Sequence, residues 1–305
     1  MGVQKNKKIK LNTVLFISIF IVAIIPVVML SQVTIFFNTK NIADNYEDNA
    51  EVLLNIAGST IEEDIEEYEN IVNKVIEITE FEDSQAIKPS MEAVAKYNES
   101  VLNMYFVNEL DGNVTFLFDS EIPEGIDIRD KDWYIETANN TEGILYDPVY
   151  EDSLTGKNIT TIYKRIEKNG KLLGVIGIDV ELSTLTNHLS HLKYGKSGDI
   201  LLIQSDGYVI AHSDESKLHL ENPLEYDTWT NILENTDGYE KIKYNSINYE
   251  SYYKTINKFN WKVVLRTESN EISSVQKMQK NLIILFALII IVIATLLSIT
   301  ISKKK

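Results

Sequence analysis

Hydrophobic and polar positions along this chain follow a helical period, then a strand period, and in two stretches no period at all. From Asn12 to Thr39 no residue is charged, and "TVLFISIFIVAIIPVVMLSQVTIFF" is apolar throughout. From Asn281 to Ser302 the same is true of "NLIILFALIIIVIATLLSITIS". About 20 apolar residues cross the hydrocarbon core of a bilayer as a helix, which predicts transmembrane helices over 12–37 and 281–302. The first stretch is too long for the apolar region of a signal peptide and lacks a small-residue cleavage site, so it reads as an uncleaved anchor. Pro26 within it predicts a kink, which membrane helices tolerate.

Beyond the first span, Leu54, Ala57, Ile61, Ile65, Tyr68, Val72 and Val75 recur at spacings of three and four, with acidic residues between them. That spacing predicts one long amphipathic helix over about 40–80, continuing out of the membrane. A second helix is expected after Pro89, in "PSMEAVAKYNES". The period then shortens to two. "VLNMYFV" and "VTFLFD" form a hairpin around "NELDGN". "GILYDPVY" follows, and then "NITTIYKRI" and "LLGVIGIDV" pair around Asn169-Gly170. After the short helix "ELSTLTNHLSHL", "GDILLIQSDGYVIAHS" contributes two strands around Asp206-Gly207, and "YESYYKTINKFNWKVVLRTE" two more around a turn near Asn257. A last helix, "NEISSVQKMQK", feeds the second span. The expected fold class is α+β: a long N-terminal helix, two stacked antiparallel-sheet units over 38–185 and 186–280, and a transmembrane helix at each end.

Charge orients this arrangement. Lys5, Lys7, Lys8 and Lys10 lie in the tail 1–11, and Lys303, Lys304 and Lys305 follow the second span. Positive flanks stay cytoplasmic, so both ends are expected inside and residues 38–280 outside. The seven tail lysines leave 22 basic against 45 acidic residues between the spans, a net of −23. Such a surface repels nucleic acid and favours cationic or zwitterionic partners. The chain has no cysteine, which excludes disulfides, thiolate metal sites and a thiol nucleophile.

The candidate chemistry sits in "KDWYIETANNTEGILYDPVYEDSLTG". Here Trp133, Tyr134, Tyr146 and Tyr150 crowd around Lys131, Asp132, Asp147 and Asp152. Two readings are open: core packing with a charged rim, or the walls of a pocket for a small zwitterion. Asp179 ends the apolar strand "GVIGID" just before a helix, where it either caps that helix near Ser183 or meets a ligand. His188 and His191 lie three apart on a helix without a third metal ligand, which reads as an exposed face. His212 and His219 fall in a loop region without a motif. No phosphate loop, nucleophile elbow or HExxH motif occurs, so neither enzyme, cofactor nor metal is called for.

The layout resembles the double Cache sensor domain of bacterial transmembrane receptors. "DIRDKDWYIETA" is similar to that family's Asp-Pro-Arg-x-Arg-x-Trp-Tyr segment, "PVYEDSLTGKNITTIYKRI" to its Tyr-x-Asp and following strand, and "GKLLGVIGIDVELSTL" to its Gly-Ile-Asp strand and helix entry. The resemblance covers the whole segment between the spans and implies two PAS-like units, the membrane-distal one binding ligand. A subset of the family recognises free amino acids. Its motif falls on Trp133, Tyr134, Tyr150, Asp152 and Asp179, with Lys131 where the family has arginine. Arg129, two residues earlier, substitutes only if the loop turns differently. Tyr146 and Asp147 are left with structural roles.

What that set implies is chemically coherent. Burying an ammonium or a carboxylate alone is costly, so an amino-acid site needs partners for both. Asp179 and Asp152 would accept charge-assisted bonds from the ammonium, and Tyr134 or Tyr150 would add a ring face. Lys131 and the Trp133 indole would hold the carboxylate, less rigidly than an arginine fork. If Lys131 points to solvent, an amine without a carboxylate fits instead. The resemblance further implies a homodimer and a cytoplasmic output such as a chemotaxis bundle, a histidine kinase or a cyclase. With "ISKKK" at its end, the chain is expected to be the sensing part of a longer receptor or a sensor acting through a partner. An organic-acid sensor and an extracellular scaffold without a pocket are the remaining readings.

Overall fold

A computed structural model describes residues 11–118, 122–141, 143–151 and 156–303; Lys5, Lys7, Lys8, Lys10, Lys304 and Lys305 lie outside them. The chain divides into two compact units, residues 50–267 and the two chain ends, 1–49 with 268–305.

In the unit of the ends, helix α1 (Leu11–Ile78) passes through Pro26 without a break, and helix α6 (Ser269–Lys303) includes the second apolar stretch. Mean hydropathy reaches 2.5 in α1 and 3.3 in α6. The two run antiparallel: Ser298 Oγ donates to the Phe16 carbonyl at 3.4 Å, Gln276 to the Thr39 carbonyl at 3.3 Å, and Tyr46 Oη to Glu271 at 2.9 Å. Val22, Met29, Leu30 and Phe36 on α1, and Phe286, Ile290, Ile293 and Leu296 on α6, are exposed. Apolar helices that expose this much side chain fit a hydrocarbon solvent, where the backbone is satisfied internally.

The larger unit begins with the rest of α1. Ala57, Ile61, Ile65, Val72 and Val75 are wholly buried and Leu54 and Tyr68 nearly so, as their spacing predicts. Each buried aliphatic side chain contributes on the order of 1.5–3 kcal/mol. Helix α2 (Ser84–Ala95) starts before Pro89 and not after it, because Asp83 caps it by accepting from the Gln85 N–H at 3.0 Å.

The first sheet contains β1 (Val101–Asn108), β2 (Val114–Phe116), β3 (Ile144–Tyr146), β4 (Tyr150–Glu151), β5 (Asn158–Lys168) and β6 (Lys171–Glu181). Its order is β2-β1-β6-β5-β3, with β4 pairing on β5. The β5–β6 turn places Asn169 and Gly170 at φ 55° and 78°, the left-handed geometry an Asn-Gly hairpin needs. Helix α3 (Asp132–Asn139) covers one face of this sheet, and α4 (Ser183–His191) follows it.

The second sheet contains β7 (Asp199–Ile203), β8 (Val209–His212), β9 (Asp237–Tyr244), β10 (Ile247–Ile256) and β11 (Trp261–Glu268), in the order β8-β7-β11-β10-β9, with α5 (Trp229–Glu234) packed on it. Strand β9 and α5 were not legible in the sequence. β9 is an edge strand with a mostly exposed face and carries Lys241 and Lys243, so its apolar alternation is weak. Its hairpin turns on Asn245 and Ser246, both at positive φ, and serine there is a poor sequence signal. His212 lies in β8 and is fully buried, a correction to the loop reading; its Nδ1 accepts from the Asp214 N–H at 2.8 Å. His188 is exposed as expected, with Asp64 at 2.8 Å.

Side-chain amides join the two sheets. Asn158 on β5 donates to the Ile210 carbonyl on β8 at 2.7 Å and accepts from Tyr208 Oη at 2.6 Å. Gln204 Oε1 accepts from the Val149 N–H at 2.9 Å.

Candidate ligand site

The face of the first sheet under α3 is built in rows set by strand register. One row runs Phe116, Tyr105, Gly177, Tyr163, Leu145 across β2, β1, β6, β5 and β3. Gly177 has a packing reason: a Cβ there would lie 2.5 Å from the Tyr105 ring. The neighbouring row, two residues along, is polar. It holds Asn103 on β1, Asp179 on β6 and Thr161 on β5, and Asp147 just past β3, whose N–H donates to the Thr161 carbonyl at 2.9 Å. Successive side chains on a strand alternate faces, so these residues share the side that carries Tyr163.

Trp133 reaches this face from the first turn of α3. Its ring stacks on Tyr163 at 4.6 Å and 14° and meets Tyr105 edge-on at 5.9 Å. Such aromatic pairs add stabilisation beyond the area they bury. Two carboxylates stand beside the rings. Asp179 accepts from Thr161 Oγ1 at 2.8 Å, and Asp147 from Tyr163 Oη at 2.6 Å. Burial pushes the Asp147 carboxyl above its usual range; the Tyr163 hydroxyl pulls it back and Glu136 adds like-charge repulsion. Burial likewise raises the Tyr105 and Tyr163 hydroxyls, with each other and the two carboxylates adding to the effect on Tyr105.

The sequence-derived set is therefore partly gathered and partly dispersed. Trp133 and Asp179 lie on this face. Tyr134 is 3% exposed, packs in the same core, and donates to Glu109 Oε2 at 2.6 Å. Tyr150, on β4 opposite Ile159, is 45% exposed. Lys131 precedes α3 with an exposed side chain that makes no cap bond. Arg129 is committed to a turn: it forks onto Asp127, donates to the Glu109 carbonyl at 2.8 Å, and holds the Asp127 carboxyl down at about 2. Asp152 lies outside the described residues. The residue at the N-terminus of α4 is Leu182, which offers no side-chain cap bond. Sequence reasoning missed Tyr105, Thr161 and Tyr163 and gave Asp147 only a structural role. Counting by twos from Asp179 through the register finds all four.

This architecture has known counterparts. The family model for the Cache domain, of the dCache_1 type, matches residues 38–275. The chain is a Cache-domain protein. Among curated relatives of this Cache protein, a probable methyl-accepting chemotaxis protein of Bacillus thuringiensis is 26% identical over 216 residues, 68% of this chain and 32% of the relative. Methyl-accepting chemotaxis protein McpC of Bacillus subtilis is 22% identical over 310 residues, 97% of this chain and 45% of the relative. The chain thus spans less than half the length of these two relatives. Among solved structures, the sensory domain of the Campylobacter jejuni chemoreceptor Tlp3 with isoleucine bound superposes with a TM-score of 0.63 at 21% identity, covering 78% of this chain and 98% of that one. The ligand-binding domain of the Pseudomonas aeruginosa chemoreceptor PctC with GABA gives 0.61 at 21% identity, covering 72% and 98%. At this identity the likeness establishes a shared fold.

Proposed function

We propose that this Cache protein is the sensory part of a transmembrane chemoreceptor and that its first sheet unit, membrane-distal and extracellular, binds a free amino acid. In this reading both chain ends are cytoplasmic, the protein works as a homodimer, and a cytoplasmic output partner or module receives the signal. The observation that carries the proposal is Asp179, an acid placed by β6 among aromatic rings and held in orientation by Thr161. It would take the ligand ammonium together with Asp152, while the Trp133 ring forms a wall and Lys131 meets the carboxylate. Similarity to receptors whose sensory domains were solved with isoleucine and GABA supports the class of ligand. Ligand binding would then shift the balance between two arrangements of the chain.

One observation favours a second reading, an amine without a carboxylate: Lys131 is exposed and has no described side-chain partner. A single screen separates the readings. The full chain in lipid nanodiscs is assayed by thermal shift against free amino acids, amines and organic acids. We expect stabilisation by an amino acid, weakened about 30-fold or more in Asp179→Ala, the usual cost of removing one partner of a buried charge-assisted bond. Stabilisation by amines alone removes the role given to Lys131, and stabilisation by no solute favours a scaffold.

A further inference from the structure

Asp147 is an acid without a cation. Its N–H continues the β3–β5 pairing one residue past the strand end, which fixes its side chain on the face of Leu145 and Thr161. Among the described residues its side-chain bond comes from a neutral hydroxyl, Tyr163 Oη at 2.6 Å. Among the described residues no lysine or arginine lies within ion-pair distance of it. Lys164, on the next position of β5, is held by Asn73 at 2.7 Å. Half-buried carboxylates are costly unless paired, and a carboxylate retains several acceptor sites after one hydroxyl has bound. The residue is also only partly buried, so its side chain is reachable at the β3 edge.

Asp179 lies two strand positions away across β5, in the same row. At about 4.8 Å per strand spacing, the two α-carbons are roughly 10 Å apart. The Tyr105 and Tyr163 rings occupy the adjoining row, and Trp133 stacks above Tyr163. Two acids at this separation, beside a row of aromatic rings, match a molecule with cations at both ends of an aliphatic stem.

We propose that the site takes an amino acid with a cationic side chain, Asp179 meeting the α-ammonium and Asp147 the side-chain cation beside the Tyr163 and Tyr105 rings. This rests on the amino-acid reading above and adds the side-chain class. A neutral aliphatic ligand would leave Asp147 desolvated without a partner, so it is disfavoured at the same position.

Isothermal titration of the full chain in nanodiscs with L-lysine, L-ornithine and L-norleucine tests this, norleucine having the lysine stem without the ammonium. Lysine or ornithine is expected to bind at least about tenfold more tightly than norleucine, the range of one charge-assisted bond. In Asp147→Asn the preference shrinks to about twofold or less, chiefly through weaker lysine binding. Equal affinities for lysine and norleucine in the native protein overturn the inference and leave the amino-acid reading standing. Binding of none of the three, nor of any other amino acid, overturns both. A native preference that survives in Asp147→Asn assigns the discrimination elsewhere and likewise overturns the role of Asp147. The native lysine-to-norleucine ratio needs no variant, so the test holds even if Asp147→Asn folds poorly.

Discussion

The two sheets of the larger unit both bury charge on one covered face, and they neutralise it differently. In the second sheet Arg266 on β11 is 2% exposed and lies over the Tyr249 ring at 4.5 Å. Its guanidinium donates to both oxygens of Glu221 and to Asp199 at 3.3 Å, and Lys217 pairs with Asp199 at 3.1 Å. Two cations meet two acids inside the protein itself. His212 completes the cluster as a neutral ring, since its Nδ1 accepts a backbone N–H and burial lowers its pKa. The corresponding face of the first sheet holds Asp147, whose side chain among the described residues is met by a tyrosine hydroxyl and no cation. The two sheets thus carry paired buried charges in one case and an acid without a cation in the other, and such an acid is where a ligand has something to contribute.

The largest effect that would break this contrast is expected at Arg266. Arg266→Met leaves Glu221 and Asp199 desolvated without their cation, which costs about 3–5 kcal/mol when one member of a buried pair is removed. Chemical denaturation of the full chain should show that loss with and without ligand. A fall of under about 1 kcal/mol would mean that water compensates the second sheet, and the asymmetry between the units would disappear.

How much of this was legible beforehand follows from what each residue does to its local pattern. The spans, the stripe on α1 and the Asn169-Gly170 hairpin are periodic or turn-specific, and the chain declares them. Asp179 was visible because an acid interrupts an apolar strand. Thr161 and Tyr163 were not, because "NITTIYKRI" reads as an ordinary strand until register decides which side faces α3. Tyr105 is hidden in "VLNMYFV" for the same reason. Asp147 stood beside Pro148, where strand ends and surface acids are common, and only its bond to Tyr163 sets it apart. Trp133 and Tyr134 are neighbours of opposite fate: helical geometry separates adjacent side chains by about 100°.

A smaller effect sharpens the role of the aromatic row. In Gly177→Ala the new methyl meets the Tyr105 ring, which must tilt out of the row. Overpacking of this kind costs about 1–3 kcal/mol. The expected signature is a modest fall in stability with a disproportionate loss of ligand affinity, because the displaced ring is a wall of the proposed site. Loss of stability with affinity intact would show that the ligand lies away from Tyr105, towards the α3 end of the face.

The smallest effect distinguishes the two adjacent aromatic residues of α3. Tyr134 donates to Glu109 and burial raises its hydroxyl, so its polar end serves the fold. Tyr134→Phe keeps the ring and removes one bond to a charged acceptor, for an expected loss of about 1.5 kcal/mol, the lower end for such a bond. Ligand affinity should stay within about twofold, a change worth under half a kilocalorie per mole. Trp133, whose ring stacks on Tyr163, stands one residue earlier, on the side proposed for the ligand. If Tyr134→Phe instead abolished binding at unchanged stability, the Glu109 bond would be a resting arrangement that the ligand displaces, and the boundary between core and site would move one residue along α3.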